Sequence, residues 1–327
     1  MQHAQAAHDK TVLMRSSDSS GSTVAPDGAR RHVWLDDPAQ FSTHRVTPIH
    51  HDLHEHPLMQ LPQLAELAHE LLPANLCRFI VPGTTQTSEF LHEPTSFDGR
   101  GIDEVFRRIE ESGSWIALYN VETIPRYRAF LEEVINTIRP LVEPEQPEII
   151  MITGFIFISA PPSVTPFHID RENNFWLQVR GRKTITVWDC NDRDVVSAED
   201  VESFIVFRSL DRVRLKDEHR ARGQEFDSGP GDGLYFPSTT PHMTKTATDW
   251  VVPGDGVSIS IGVNFYTSVT RRYALVHQVN RLMRRFGFTP TPPGKSAWRD
   301  ILKAPLGKAV IAVQKRRKNY VPPPGAY

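Results

Sequence analysis

From Met59 to Leu72 (MQLPQLAELAHELL) apolar residues recur at helical spacing, and Pro62 is acceptable in the first turn, where no intrahelical N–H bond is lost. The same period runs through Ile102–Ser112 and Ile124–Leu141, with Pro125 in the first turn of the latter, so both are expected to be helices. Leu76–Val81 (LCRFIV) between them reads as a strand. After Pro147 the pattern changes. Ile149–Ser159 (IIMITGFIFIS) is β-rich, and short apolar runs follow at Phe167–Ile169, Phe175–Val179, Thr184–Trp188, Phe204–Arg208, Gly233–Phe236 and Val257–Tyr266. Pro, Gly, Asp and Asn separate them, as strand-bounding residues do. Such a density of short strands predicts a closed or double-layered all-β unit of the jelly-roll kind. Helical spacing returns at Arg271–Arg285 and Ala297–Val313, the second kinked or broken at Pro305.

The expected fold class is therefore mainly β with flanking helices. A disordered lead spans 1–30, an α/β layer 31–148, the β core 149–268 and a basic helical extension 269–327. Composition is that of a globular protein, 39% hydrophobic and 23% charged. No apolar run reaches the roughly 18 residues that a membrane helix needs, and the N-terminus lacks a secretory apolar stretch. Two cysteines, Cys77 and Cys190, make neither a disulfide framework nor a CxxC knuckle, which points to a reducing cytoplasm without a membrane segment. The net charge of −2 is uneven. Thirteen Lys and Arg against Asp300 alone give +12 from Arg271 onward, leaving −14 for the rest. A basic tail packing on the acidic body or on a sister subunit accounts for this better than a nucleic-acid surface, because the aromatic interleaving that single strands need is missing.

Val164–Trp188 (VTPFHIDRENNFWLQVRGRKTITVW) carries the chemistry. His168 and Asp170, two apart, would project from one face of a strand with Cα atoms about 6–7 Å apart. A second histidine from a distant strand would complete a two-histidine, one-carboxylate triad that leaves three positions of an octahedral iron(II) open. His242, at the end of PGDGLYFPSTTPH, is the candidate. A bare HxD is weak among fourteen histidines, and a hydrogen-bonded pair is its plain alternative. Lys183 adds weight. It shares a strand face with Ile185 and Val187, a costly place for an ammonium unless it meets an anion. Along Val257–Asn264 an apolar face (Val257, Ile259, Ile261, Val263) alternates with a small, polar one (Ser258, Ser260, Gly262, Asn264) that leaves room for a ligand.

Thr165–Lys183 (TPFHIDRENNFWLQVRGRK) resembles the core of the jumonji-C family, nearest the branch of the asparaginyl hydroxylase that inhibits hypoxia-inducible factor. The branch pattern TPxHxDxxxNFxxQxxGxK is matched at each fixed position. A distal GDxLYxPxxxxH is matched at Gly231, Asp232, Leu234, Tyr235, Pro237 and His242, and a VNF at Val263, Asn264 and Phe265. The likeness covers roughly 149–268. It implies a double-stranded β-helix of cupin type and an iron(II)- and 2-oxoglutarate-dependent dioxygenase that hydroxylates a protein side chain or a small molecule with O₂. It implies further that His168, Asp170 and His242 hold the iron, and that Lys183 and Thr165 bind the distal carboxylate of 2-oxoglutarate. Asn174 and Asn264 would line the pocket, and Tyr119 would assist unless it is simply a core aromatic. Trp176, Arg182 and Tyr266 are candidates for the substrate mouth.

A cupin-like binding protein without turnover is the alternative, and a metal-dependent isomerase is disfavoured by Lys183, which it would not need. His50, His51, His54 and His56 in Ile49–Met59 look metal-like but lack a coherent spacing, and read as a polar loop outside the barrel. Cys190 reads as a buried small hydrophobe, and the KRRK run at Lys315–Lys318 as a solvated helix end. Ala274, Leu275, Val279, Leu282 and Met283 form an apolar stripe that suits either a homodimer contact or an intrachain cover.

Overall fold

The computed structural model describes residues 11–13, 32–80, 84–89, 92–96, 98–111, 113–246, 248–252 and 255–316. Its centre is a jelly roll of eight strands, whose numbering follows three short leading ones and three in a flanking layer. The leading strands are β1 (Thr11–Leu13), β2 (Val33–Trp34) and β3 (Thr47–His51), and the flanking ones β4 (Cys77–Ile80), β5 (His92–Glu93) and β6 (Trp115–Leu118). The core strands are β7 (Ile150–Ser159), β8 (Ser163–His168), β9 (Asn173–Arg180), β10 (Lys183–Val187), β11 (Gln224–Ser228), β12 (Asp232–Phe236), β13 (His242–Thr246) and β14 (Ser258–Tyr266). Two sheets result. The smaller runs β1-β11-β10-β13-β8 and the larger β2-β3-β12-β9-β14-β7-β6-β4-β5. The eight core strands thus divide four and four, alternating between the sheets along the chain except at β10 and β11, which are neighbours in the smaller one, while β14 and β7 lie side by side in the larger, as in a double-stranded β-helix. Every pairing is antiparallel except β1 with β11.

Among the described residues six α-helices accompany the sheets: α1 (Leu61–Leu71), α2 (Ile102–Arg107), α3 (Pro125–Val142), α4 (Ala198–Phe207), α5 (Ser268–Arg285) and α6 (Ala297–Lys315). The alternation along the strands decides where each side chain goes. Phe175, Leu177, Ile259, Ile261 and Val263 leave the outer face of the large sheet and join Leu64 and Leu67 of α1 and Leu131, Val134 and Ile138 of α3 in one buried cluster. Each such side chain contributes about 1.5–3 kcal/mol by leaving water. Between the sheets a smaller cluster holds Trp176, Ile185, Val187, Phe226, Leu234 and Phe236. A third, on the outside of the small sheet, joins Phe167, Trp188 and Met243 to α4 and α5.

Four expectations change. Phe204–Arg208 lies in α4 and its cap, not in a strand. Ser197 caps the helix by accepting from the Asp200 amide at 3.1 Å, Glu199 and Asp200 occupy the first turn, and Val201, Phe204 and Ile205 turn inward at i, i+3 and i+4. Arg208 then ends it in a left-handed conformation, φ 59°. Second, the histidine-rich segment is no loop outside the barrel. His50 and His51 sit in β3, which pairs with β12, and Thr47, Ile49 and His51 are its buried side. Buried His51 bonds through Nε2 to the carbonyls of Gln178 (2.9 Å) and Asp232 (3.2 Å), and burial pushes its pKa down to about 3. It is a structural clamp. Third, of the kink or break expected at Pro305, the break does not occur, since α6 runs on through it. Fourth, Thr11–Leu13 is a strand within the segment read as disordered, the remainder of 1–30 lying outside the described residues. Lys315 ends α6, and residues 317 and 318 of the KRRK run also lie outside them.

Candidate metal centre

His168 closes β8 and His242 opens β13, and the two are direct partners in the strand register. The register slips between His242 and Thr244, where Pro166 interrupts the ladder and the Phe167 amide turns to the Gln86 carbonyl at 2.9 Å. The two rings lie 4.1 Å apart, both nearly buried. Each Nδ1 is held by a backbone carbonyl, that of Pro166 at 2.7 Å for His168 and that of Thr240 at 3.0 Å for His242. Both Nε2 atoms are left facing Asp170, at 3.9 Å from Oδ1 for His168 and 3.6 Å from Oδ2 for His242. The Nδ1–H bonds fix the tautomer that presents Nε2 as a lone-pair donor. One ligand atom from each residue lies within 4.8 Å of the other two, and among the described residues this is the one such cluster. Burial, reinforced by His168, pushes the His242 pKa down to about 4, so its ring is neutral, as a ligand must be. The donor set suits a divalent transition metal, and the fit is to the two-histidine, one-carboxylate facial type.

A cavity of about 130 Å³ opens beside these ligands. Thr165, Lys183 and Tyr119 all border it, and Trp176 forms part of its wall. Lys183, at the start of β10, is buried, its ammonium 3.5 Å from the Ser260 hydroxyl, with no carboxylate within 4 Å among the described residues. Burial alone lowers its pKa to about 7. Tyr119 packs edge-on against Phe155 at 5.0 Å, and burial together with Asp170 raises its phenol above the usual value. Asn174 and Asn264 face each other across β9 and β14. Asn174 Nδ2 lies 3.5 Å from Asp170 Oδ2, while Asn174 Oδ1 and both amide atoms of fully buried Asn264 find no protein partner. They stand beside the ligands, outside the cavity wall. Gly262 between them has no space to spare, since a Cβ there would meet Asn174 Oδ1 at 3.2 Å.

The other two mouth candidates stand elsewhere. Arg182 borders a separate cavity, with Asp249 and Trp250, that reaches Lys183 from its other side. Tyr266 is buried and donates to Glu172 Oε1 at 2.5 Å. Sequence reasoning missed Phe155, Phe157, Phe204, Leu210 and Thr244 on the cavity wall. Strict alternation along β7 would have turned Phe155 and Phe157 away from buried Ile156 and Ile158 and towards the ligand side. Phe204 and Leu210 were hidden by the misreading of α4.

No curated protein matches the chain. Among solved structures, one of Escherichia coli ycfD shares 16% identity at a TM-score of 0.43, covering 86% of this chain and 67% of that one. Another, titled as YcfD, a ribosomal oxygenase from Escherichia coli in complex with cobalt and 2-oxoglutarate, shares 16% at 0.42, covering 87% and 72%. Likeness at this level bears on neither activity nor substrate. The family comparison reaches further: the cupin-like domain model matches residues 105–271, half of the chain, and takes in β6–β14, hence both strands that carry the candidate ligands His168 and His242. The barrel and the matched span coincide, and the chain belongs to the cupin-like domain family.

Proposed function

We propose that the protein is an iron(II)- and 2-oxoglutarate-dependent oxygenase of jumonji-C type, from the branch of the asparaginyl hydroxylase, acting as a hydroxylase on a protein side chain or a small molecule. One observation carries the reading: a buried lysine with no carboxylate partner among the described residues shares a single cavity with a His-Asp-His triad. A desolvated ammonium is stabilised by an anion, and a dicarboxylate that also reached the metal would satisfy both ends of the cavity. When bound, such a centre would couple oxidative decarboxylation of 2-oxoglutarate, using O₂, to hydroxylation of a C–H bond. The chain's own work is positional. His168, Asp170 and His242 would hold the iron, and Lys183 with the Thr165 hydroxyl would hold the distal carboxylate. Tyr119 would flank it, and the unsatisfied amide oxygen of Asn174 and the unsatisfied amide of Asn264 would orient the groups nearest the metal. Phe155, Phe157 and Trp176 line an apolar wall that would limit the entry of water.

The test is succinate formation from 2-oxoglutarate by the iron-loaded chain, with and without candidate substrates. Asp170→Ala is expected to abolish it, as well as the 2-oxoglutarate-dependent absorption band of the metal. Wild-type turnover in that variant would remove the triad assignment, and absence of both signals in the wild type would favour a binding protein instead.

A reducing cytoplasmic setting fits the two free cysteines. None of the described helices is long and apolar enough to cross a membrane. Self-association through the C-terminal hairpin is part of the same reading. Ala274, Leu275 and Val279 of the α5 stripe are spent covering the chain itself, but Trp298, Ile301, Leu302 and Leu306 of α6 are each more than half exposed. A two-fold contact would bury that face. Several of the basic residues there are engaged within the chain, Arg284 with Glu202 at 2.8 Å and Lys303 with Asn280 at 2.6 Å, which leaves less for a nucleic acid.

A further inference from the structure

The metal-side cavity has two unlike ends, and the strand register places them. Lys183 opens β10, and Val187, which ends that strand, pairs with His242. Thr244, two residues beyond His242 on β13, pairs with both Ile185 and Thr165 and so lies deeper than the ligand. The hydroxyls of Thr165, Thr244 and Ser260 and the Lys183 ammonium therefore gather at the deep end, with Ser260 3.5 Å from the ammonium.

The other end is built differently. Because β10 stops level with His242, its connection to β11 (188–223) leaves the barrel beside the metal ligands. That connection carries α4 and returns Phe204 and, past the end of the helix, Leu210 to the cavity wall. Phe204 is buried in one cluster with Phe167, Ile169 and Met243, while Leu210 is only half-buried and packs against that cluster at the rim. The loop behind Leu210 is tied down, since Arg214 pairs with Glu89, and Gln86 of the same segment accepts from the Phe167 amide at 2.9 Å. Ile169, Phe204 and Leu210 thus make a fixed apolar lip at the metal end.

No countercharge waits at that lip. Apart from the triad, Lys183 is the one ionic side chain among the described residues that line the cavity, and on the oxygenase reading the co-substrate occupies it. The acids around the lip are engaged or turned away. Glu89 is paired with Arg214, Glu199 with Arg212 at 3.0 Å and Glu172 with the Tyr266 hydroxyl at 2.5 Å, and Asp211 is exposed outside the lining. A charged group brought past Leu210 would lose its water without gaining a partner, whereas a hydrocarbon group gains from the same transfer.

We propose that the substrate offers an uncharged aliphatic group to the metal, received by Ile169, Phe204 and Leu210, and that cationic and anionic groups are rejected there. The inference rests on the oxygenase reading and narrows its substrate.

The experiment measures binding to the full chain loaded with manganese and 2-oxoglutarate without O₂, through the broadening of a probe's proton resonances by the metal. The probes are N-acetyl-leucinamide, N-acetyl-argininamide and the α-amide of N-acetyl-glutamic acid. The leucine probe should saturate, with its methyl resonances broadened most, and bind at least about tenfold more tightly than either charged probe. Leu210→Glu sets a carboxylate on the half-buried rim and should weaken the leucine probe and strengthen the arginine probe, each about tenfold. Its folding is checked by circular dichroism, and the wild-type ranking decides by itself if the variant does not fold. A heptapeptide with one leucine among glycine and serine separates the sources: tighter binding than the amide points to a polypeptide, equal binding to a small molecule. Manganese uptake without 2-oxoglutarate binding would remove the oxygenase reading and this proposal with it. With 2-oxoglutarate bound, the proposal alone is overturned if neither leucine probe saturates, if a charged probe binds as tightly, or if folded Leu210→Glu keeps the wild-type ranking.

Discussion

Replacing Lys183 by methionine separates what the lysine costs the fold from what it does for the ligand. The side chain is buried at the start of β10 and its pKa falls from 10.5 to about 7 through burial. At about 1.4 kcal/mol for each tenfold change in the proton equilibrium, the buried charged form is penalised by about 5 kcal/mol, an upper bound because the site relaxes around it. The folded pKa lies below the unfolded one, so between pH 7 and 10.5 the unfolded chain holds the extra proton and stability rises with pH; below about 7 the whole penalty is present. Methionine fills a similar volume without the charge. Free of ligand, Lys183→Met should therefore melt several degrees above the wild type at pH 6.5, and the gap should narrow towards pH 10. Its affinity for 2-oxoglutarate, titrated anaerobically with manganese at the triad, should fall at least about thirtyfold, because removing one partner of a buried charge pair costs about 2–5 kcal/mol. Differential scanning calorimetry and isothermal titration read the two effects. A variant that binds 2-oxoglutarate as the wild type does, or that melts lower when ligand-free, would refute the assignment of Lys183 as a desolvated cation kept for an anion.

Gly233 of β12 packs where a Cβ would meet the Trp176 carbonyl oxygen and Leu177 Cδ2, each at 2.7 Å. One of these is backbone and cannot step aside, so Gly233→Ala should destabilise the barrel by about 1–3 kcal/mol in chemical denaturation; a loss below about 0.5 kcal/mol would mean the strands separate more easily than drawn. On α6, Trp298→Asp with Ile301→Asp should shift light scattering from dimer to monomer without lowering the melting temperature, since both side chains are exposed. A wild type that is already monomeric would dispose of the hairpin contact.

The metal centre was legible because its parts are close in sequence or fixed by register. His168 ends β8 and Asp170 follows two residues on in the turn to β9, so the short spacing keeps them together although the strand expected to carry both stops at the histidine, and the inward Lys183 was betrayed by its apolar companions Ile185 and Val187. Helices α1, α3 and α5 were likewise visible, since amphipathic spacing reports the face that meets a core before the core is known. Other features were not local. The apolar FIVF of α4 suits a strand or a helix equally, and only Ser197 with the acids behind it tips the balance. The strand at His50–His51 carries no hydrophobic alternation to announce it, because a buried histidine takes the place of an apolar residue once Gln178 and Asp232 offer it carbonyls.

Residue type and spacing thus pointed to the class of fold and to a buried cation, and with the family resemblance to the candidate ligands His168, Asp170 and His242. Tertiary structure decided that His242 lies opposite His168, and that α4 and Leu210 border the cavity. The physical reason is the reach of the interactions. Periodicity and capping act over a few residues and leave their mark on the chain, whereas sheet register and the meeting of loops are settled by packing between segments that no local pattern connects.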